Sequence, residues 1–480
     1  MRLVVVSNRV APPDGDEKAS AGGLAVALRD ALQKHSGVWF GWSGAVAEAP
    51  DRVPRAIQRG RVTYRLMDLT PVDRQEYYSG YANRALWPNM HYRVGLTEFS
   101  RADLSGYRRV NRFFAEALAP LLRPDDLVWV HDYHLMPLAS ELRQLGVTNR
   151  IGYFHHIPWP PFEVFGTLPG SIDLLEAMCS YDLIGLQTES DAGNLNRSLV
   201  EQFGATADHD GQVQVMGRSL TIGSFPIGID ALGFRNFAQH AQTSPQARRT
   251  SESLSTHRLI VGVDRLDYTK GLVERVEAFE RFLISNPDQR GSVVYLQVAP
   301  PSRTEVPEYA DLNRMVDQAV GRINGAHSDL DWTPIRFVKK AYSRAVLAGL
   351  YRRASVGLVT PMRDGMNLVA KEYVAAQDPE DPGVLILSRF AGAAEQMKDA
   401  LIVNPFDKWE IAEAIRTAFL MSRQERIRRW ERLFDGLEAR DLDWWTRSYL
   451  DALAGAGQDF AAKQSDDESR MAKRHGGVSR

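Results

Sequence analysis

Short apolar runs recur along the chain, each closing on polar residues and each followed by a segment with helical spacing. Leu3-Val-Val-Val6, Leu127-Val-Trp-Val130, Ile151-Gly-Tyr-Phe154 and the run inside Tyr181-Asp-Leu-Ile-Gly-Leu-Gln187 are too short for helices and fit buried strands. Trp39-Phe-Gly-Trp-Ser-Gly44 reads as a strand entering a turn. Helices are expected over 20–28, from Leu135, and over 190–203. The stretch holding Tyr77, Tyr78, Leu86, Trp87, Pro88, His91 and Tyr92 reads as aromatic and turn-rich. Residues 239–255 are polar and suit a connector. A second series starts at Leu259-Ile-Val-Gly-Val263 and continues at 293–298, 335–338, 356–359, 384–387 and 401–403. Helices are expected between these strands at 271–285, 308–324, 343–352 and from Leu368 to Gln377. Strands alternating with helices imply parallel sheets. The expectation is an α/β chain with two parallel-sheet domains facing a cleft, over 1–235 and 236–439. A last amphipathic helix with Trp444-Trp445, within 440–457, is expected to pack back on the first domain, and 458–480 to be a disordered tail.

Length and composition narrow the class. A chain of 480 residues exceeds one typical core. Hydrophobic content of 44% with 25% charged residues is ordinary for a globular protein, and a net charge of −2 gives no general attraction to nucleic acid or an anionic membrane. Cys179 alone excludes an internal disulfide and a cysteine-rich metal site, and suits a cytoplasmic location. No apolar run approaches the ~18 residues of a membrane helix, and Arg2-Leu-Val-Val-Val6 is too short for a signal core. The chain lacks G-x-G-x-x-G after a strand, G-K-[ST] after a glycine-rich loop, and G-x-S-x-G. Asp329-Leu-Asp331 and Asp441-Leu-Asp443 stand in polar or helical context, not at strand ends.

Candidate chemistry gathers at the strand ends. Thr360-Pro-Met-Arg-Asp-Gly-Met-Asn367 is a polar turn between a strand and a helix, with Asn367 as a good N-cap. A helix start offers free amides and partial positive charge, a seat for phosphate. Asp364 and Glu372 bracket that seat, which suits an anion attached to sugar hydroxyls; a solvated Glu372 on an ordinary capped helix is the other reading. In Asp264-Arg-Leu-Asp-Tyr-Thr-Lys-Gly271, Arg265 and Lys270 suit a diphosphate, or Asp267 pairs with Lys270 on a solvated surface. Arg303 follows the next strand. Gly22 and Gly23 either let a phosphate approach the backbone or form a plain turn, and Arg9 is functional or simply exposed. Aromatics beside polar groups near Tyr78 and Trp87 suit sugar faces or a loop core. Asp132, His134, His155 and His156 line one sheet edge; without HExxH or CxxC spacing, a metal there is the minor reading.

These residues together resemble trehalose-6-phosphate synthases, retaining glycosyltransferases with two Rossmann-like domains (the GT-B type). The likeness runs from Arg2 to about Asp451. Its motifs are Val6-Ser-Asn-Arg9, Ala21-Gly-Gly-Leu24, Leu86-Trp-Pro88, His131-Asp-Tyr-His134, His156-Ile-Pro158, Asp264 to Gly271, and Arg363 to Glu372. The resemblance implies transfer of glucose from a nucleoside diphosphate glucose to glucose 6-phosphate, without a cofactor or metal, by a cytoplasmic homo-oligomer. It implies that Arg265 and Lys270 meet the donor diphosphate, and that Gly22, Gly23 and the Leu368 and Val369 amides approach the donor. Glu372 would hold ribose hydroxyls, Tyr342 the base through its backbone, and Asp364 the transferred glucose. Arg9, Tyr78, Asp132 and Arg303 would form the acceptor site, Trp87 and Ile157 would set anomer selectivity, and His156 would lie near the donor sugar. The role of His155 and the donor base stay open. So do a related synthase with another phosphorylated acceptor and a non-catalytic sensor of the same fold.

Overall fold

The protein is described here by a computed structural model covering residues 2–10, 12, 28–29, 31–32, 37–208, 211–241, 257–302 and 307–455. It divides into two compact units, one of Met1–Pro226 with the chain from Asp443 onward, the other Ile227–Leu442. The α/β expectation holds in both units.

In the first unit the strands are β1 (Leu3–Arg9), β2 (Gly37–Val46), β3 (Arg55–Arg59), β4 (Val62–Leu69), β5 (Leu127–His131), β6 (Arg150–Phe154), β7 (Leu183–Leu186), β8 (Thr206–Ala207), β9 (Gln212–Val215) and β10 (Arg218–Ser224). They form one sheet in the order β3-β4-β2-β1-β5-β6-β7-β10-β9-β8. The middle is parallel, and antiparallel pairs finish both edges. Strands such as β5 are buried along their length, because a parallel sheet is covered on both faces. The edge strands β3 and β8 are short and exposed, and their weak apolar pattern left them unread in the sequence.

One expectation is corrected. Residues 71–90 are not turn-rich but a continuous helical segment, α1, whose middle, Arg74–Leu86, is π-helical. The wider π turn brings Tyr77 and Tyr81 onto Tyr107 of α2 (Arg101–Leu118), with ring centroids 5.9 and 4.8 Å apart. Helix α3 (Glu189–Phe203) follows β7, capped by Thr188.

The second unit starts with α4 (Ala231–Ala241). Its strands are β11 (Arg258–Val263), β12 (Val293–Val298), β13 (Ile335–Val338), β14 (Val356–Val359), β15 (Val384–Ser388) and β16 (Leu401–Val403). All pair in parallel, in the order β13-β12-β11-β14-β15-β16. Between them run α5 (Leu272–Ser285), α6 (Pro307–His327), α7 (Arg344–Arg353) and α8 (Leu368–Ala376). Helices α9 (Lys408–Leu420) and α10 (Arg423–Ala439) follow. The division falls before α4, earlier than the expected 235/236, because α4 packs on α7 and α8.

The last helix, α11 (Leu442–Ala454), returns to the first unit. Trp445 and Tyr449 pack on Trp129, at 5.0 and 4.6 Å between ring centroids. Gly152 and Gly185 make the slot: a Cβ there would stand 2.4 and 2.7 Å from Tyr449 atoms. The expected tail at 458–480 lies outside the described residues. Among the described residues no helix is long and apolar enough to cross a membrane.

Candidate active site

Both sheets place loops where strand order reverses, the position at which open α/β sheets hold ligands. In the first unit β1 lies between β2 and β5, so the ends of β1 and β5 adjoin. In the second, β11 lies between β12 and β14, so the loops after β11 and β14 adjoin.

Arg9 ends β1 with its side chain exposed, in register with Trp42 of β2. The preceding residues are fixed: Ser7 accepts from Trp39 Nε1 at 2.9 Å, and Asn8 accepts from Tyr77 Oη at 2.9 Å. Tyr78 is half-buried between the rings of Trp42 and His134, 5.7 and 5.9 Å away. Asp132 follows β5 with φ +76°, a conformation costly for a residue with a side chain and common at functional sites. Its Oδ1 accepts from the amides of Tyr133 at 3.0 Å and His156 at 3.3 Å. Trp87 and Ile157 are both buried, Trp87 against Tyr133 and His91.

The histidines separate by environment. His155, whose role the sequence left open, is fully buried in the core, with Nδ1 2.9 Å from Tyr153 Oη and its amide on the Gly185 carbonyl. His156 is half-buried, with Nε2 3.0 Å from His131 Nδ1 and Nδ1 3.4 Å from Gln187 Nε2. Burial, aided by His155, pushes its pKa down to about 3, so the ring is neutral at physiological pH. A neutral ring between these partners is set to hydrogen-bond. His131 and Gln187 entered the sequence reading only as motif and strand-end residues, without a site role.

In the second unit, Lys270 does not pair with Asp267 on a solvated surface. Asp267 is fully buried and accepts from the Thr269 amide and hydroxyl and from Tyr309 Oη. Lys270 is buried, with Nζ 2.5 Å from Asp364 Oδ2. Arg265 is exposed, its guanidinium 4.0 Å from Asp267. Asp364 also accepts from the Gly365 amide and Asn367 Nδ2, each at 3.0 Å. Asn367 caps α8 through the Ala370 amide at 3.3 Å, which leaves the Leu368 and Val369 amides outside the cap. Glu372 lies one turn further, half-buried. Burial pushes its carboxyl up to about 7, against the opposing pull of Arg344. Tyr342 is half-buried just before α7.

The structure therefore brings Arg265, Lys270, Asp364, Leu368, Val369 and Glu372 to adjoining loops of one unit. It brings Arg9, Tyr78, Asp132, His156, Trp87 and Ile157 to the strand ends and α1 of the other. Gly22, Gly23 and Arg303 lie outside the described residues. Among the described residues, no group of three or more His, Cys, Asp or Glu could hold a metal ion. Lys371 also went unread: its buried Nζ donates to the Ile227 carbonyl at 2.7 Å and Gln396 Oε1 at 2.8 Å.

Comparison with known proteins agrees with this geometry. The profile described as Glycosyltransferase family 20 matches residues 2–455. A trehalose-6-phosphate synthase of Sinorhizobium fredii (strain NBRC 101917 / NGR234) is 50% identical over 457 residues, 95% of this chain and 98% of that protein. A crystal structure of an α,α-trehalose-phosphate synthase (UDP-forming) from Burkholderia xenovorans, in complex with glucose-6-phosphate, matches with TM-score 0.91 and 46% identity, over 95% of this chain and 100% of that one. An E. coli structure described as trehalose-6-phosphate bound with UDP-2-fluoro glucose matches with TM-score 0.90 and 43% identity, over 94% of this chain and 99% of that one.

Proposed function

The chain belongs to glycosyltransferase family 20, and from that premise we propose that it transfers glucose from UDP-glucose to the anomeric hydroxyl of glucose 6-phosphate. The products are α,α-trehalose 6-phosphate and UDP. The observation that carries the donor side is the Lys270–Asp364 pair, seated where strand order reverses beside the start of α8, whose Leu368 and Val369 amides lie outside the Asn367 cap. The acceptor and the base rest on relatives that bind glucose-6-phosphate and UDP-2-fluoro glucose over nearly the whole of this chain.

In this reading the C1–O bond to the β-phosphate breaks and its electron pair stays on the phosphate oxygen. Lys270, Arg265 and the Leu368 and Val369 amides stabilise that charge as it develops, without a metal. Asp364 holds the glucose hydroxyls. The glucosyl carbon becomes oxocarbenium-like. The acceptor oxygen attacks from the face the diphosphate leaves, and its proton passes to the departing phosphate oxygen, so configuration is retained. Asp132 orients the acceptor, with Arg9, Tyr78 and Arg303 on its phosphate; Trp87 and Ile157 set which anomer fits. His156 is a neutral partner of the donor sugar.

Incubation with UDP-, ADP- and GDP-glucose, with and without glucose 6-phosphate, tests the proposal. It expects diphosphate release that depends on the acceptor and a product with two α anomeric protons. Release without acceptor, or another sugar phosphate as the better acceptor, contradicts it. No release at all favours a non-catalytic sensor.

Glu372 adds a pH signature. Ribose hydroxyls are donors, so they select the carboxylate. As pH falls below about 7 the apo site holds more of the acid form, and donor KM should rise, approaching about tenfold per pH unit. Glu372→Gln should bind donor weakly at high pH and flatten the slope. A wild-type donor KM constant between pH 5.5 and 8 contradicts this role.

A further inference from the structure

We infer that Arg275 is a positioning residue that holds the Lys270 end of the Asp264–Gly271 loop in register with the loop after β14. The inference rests on the donor reading above.

Arg275 lies in the first turn of α5 and is fully buried. It touches no solvent and has no place in the chemistry described. Its fork reaches four structural pieces. Nη1 donates to Asp264 Oδ2 at 2.5 Å and to Gln297 Oε1 at 3.0 Å. Nη2 donates to the Lys270 carbonyl at 3.0 Å, and Nε to Thr360 Oγ1 at 3.0 Å. Those partners sit at the end of β11, on β12, in the loop itself and at the end of β14. Tyr295 Oη, 2.5 Å from Gln297 Oε1, fixes the amide in turn.

An ion pair to anchor a helix would need only Asp264. Two of the other three, to the Lys270 carbonyl and Thr360, span the two loops that carry Lys270 and Asp364, and the third ties them to Gln297 of β12. Two further contacts tighten the same seam. The Met362 amide donates to the Thr269 carbonyl at 2.8 Å. Gly271, at φ +64°, passes so close that a Cβ would lie 2.7 Å from the Thr360 carbonyl oxygen. A planar guanidinium with five fixed N–H donors can hold four partners at once; a lysine cannot. Because Arg275 and Asp264 neutralise one another, the effect on a bound diphosphate is geometric rather than one of added charge. The loops reach the donor already placed.

The experiment is steady-state kinetics of the full chain, varying UDP-glucose and glucose 6-phosphate separately, with a thermal melt of each variant. Asp264→Asn/Arg275→Met removes both charges, so no lone carboxylate is left buried. It should raise donor KM and lower kcat, each by about tenfold or more, as displaced loops do, while acceptor KM stays within about twofold. Thr360→Val deletes one of the four partners and should shift donor kinetics the same way by about threefold. A merely structural role would lower the melting temperature and leave donor KM where it was. A folded double variant with wild-type donor kinetics, or with donor and acceptor KM raised alike, overturns the inference. Should the double variant not fold, unchanged donor kinetics in Thr360→Val overturn it. Lys270→Ala runs alongside: if it too leaves donor kinetics untouched, the donor reading itself has failed, not only the role of Arg275.

Discussion

Lys270→Ala is expected to cut kcat/KM for the donor by about a hundredfold to a thousandfold, the usual cost of losing one preorganised group that meets developing charge. Two effects add. The departing diphosphate loses a buried cation. Asp364, whose cation was 2.5 Å away, keeps its charge beside the leaving group without Lys270 to offset it. The loss should therefore exceed that in Lys270→Ala/Asp364→Asn relative to Asp364→Asn alone. Acceptor KM should barely move, because Arg9, Tyr78 and Asp132 belong to other elements, at the ends of β1 and β5 and on α1. Initial rates against each substrate in turn give both numbers. A loss below about threefold would mean that the charge is met elsewhere.

The second large effect is on stability. Trp445→Ala should destabilise the first unit by about 3–5 kcal/mol, the range for deleting a buried aromatic side chain. Trp445 is fully buried, edge-on to Phe154 at 5.1 Å and tilted against Trp129 at 5.0 Å. It also lies beside His131, at 6.5 Å between ring centroids, and His131 holds His156. The substitution should therefore loosen His156 as well as the fold. With two units, unfolding need not be two-state, so hydrogen exchange resolved by peptide is the suitable measurement. Faster exchange in β5, β6 and α11, with β11 to β16 unchanged, is expected. Uniform loss across both units, or none, contradicts the packing described.

The residues also explain what the sequence disclosed and what it hid. Asn367 was readable as a cap because it follows a turn and precedes helix formers, and the structure uses it that way. The last amphipathic helix was readable from Trp444-Trp445, and α11 stands there. The helix over 71–90 was not. Ser79-Gly80 and Trp87-Pro88 look like breaks, and a π stretch does not repeat at the 3.6-residue period that betrays an α-helix. The alternative that paired Lys270 with Asp267 fails for a related reason: Asp267 is close in sequence, but the sheet brings in Asp364 from 94 residues away. Local spacing cannot supply a pair that topology makes. Arg275 left one trace, a charged residue on the face of α5 that carries Leu272, Val276 and Phe279. A cation on an apolar stripe marks a buried network, although not its function.

The central claim is that the leaving diphosphate sits on Lys270 and the start of α8. A crystal structure of the full chain with UDP tests it most directly. The account predicts phosphate oxygens within about 3 Å of Lys270 Nζ and of the Leu368 or Val369 amide, with Arg265 drawn toward them. UDP bound away from these groups, with Lys270 still clasped to Asp364 at 2.5 Å, would contradict it.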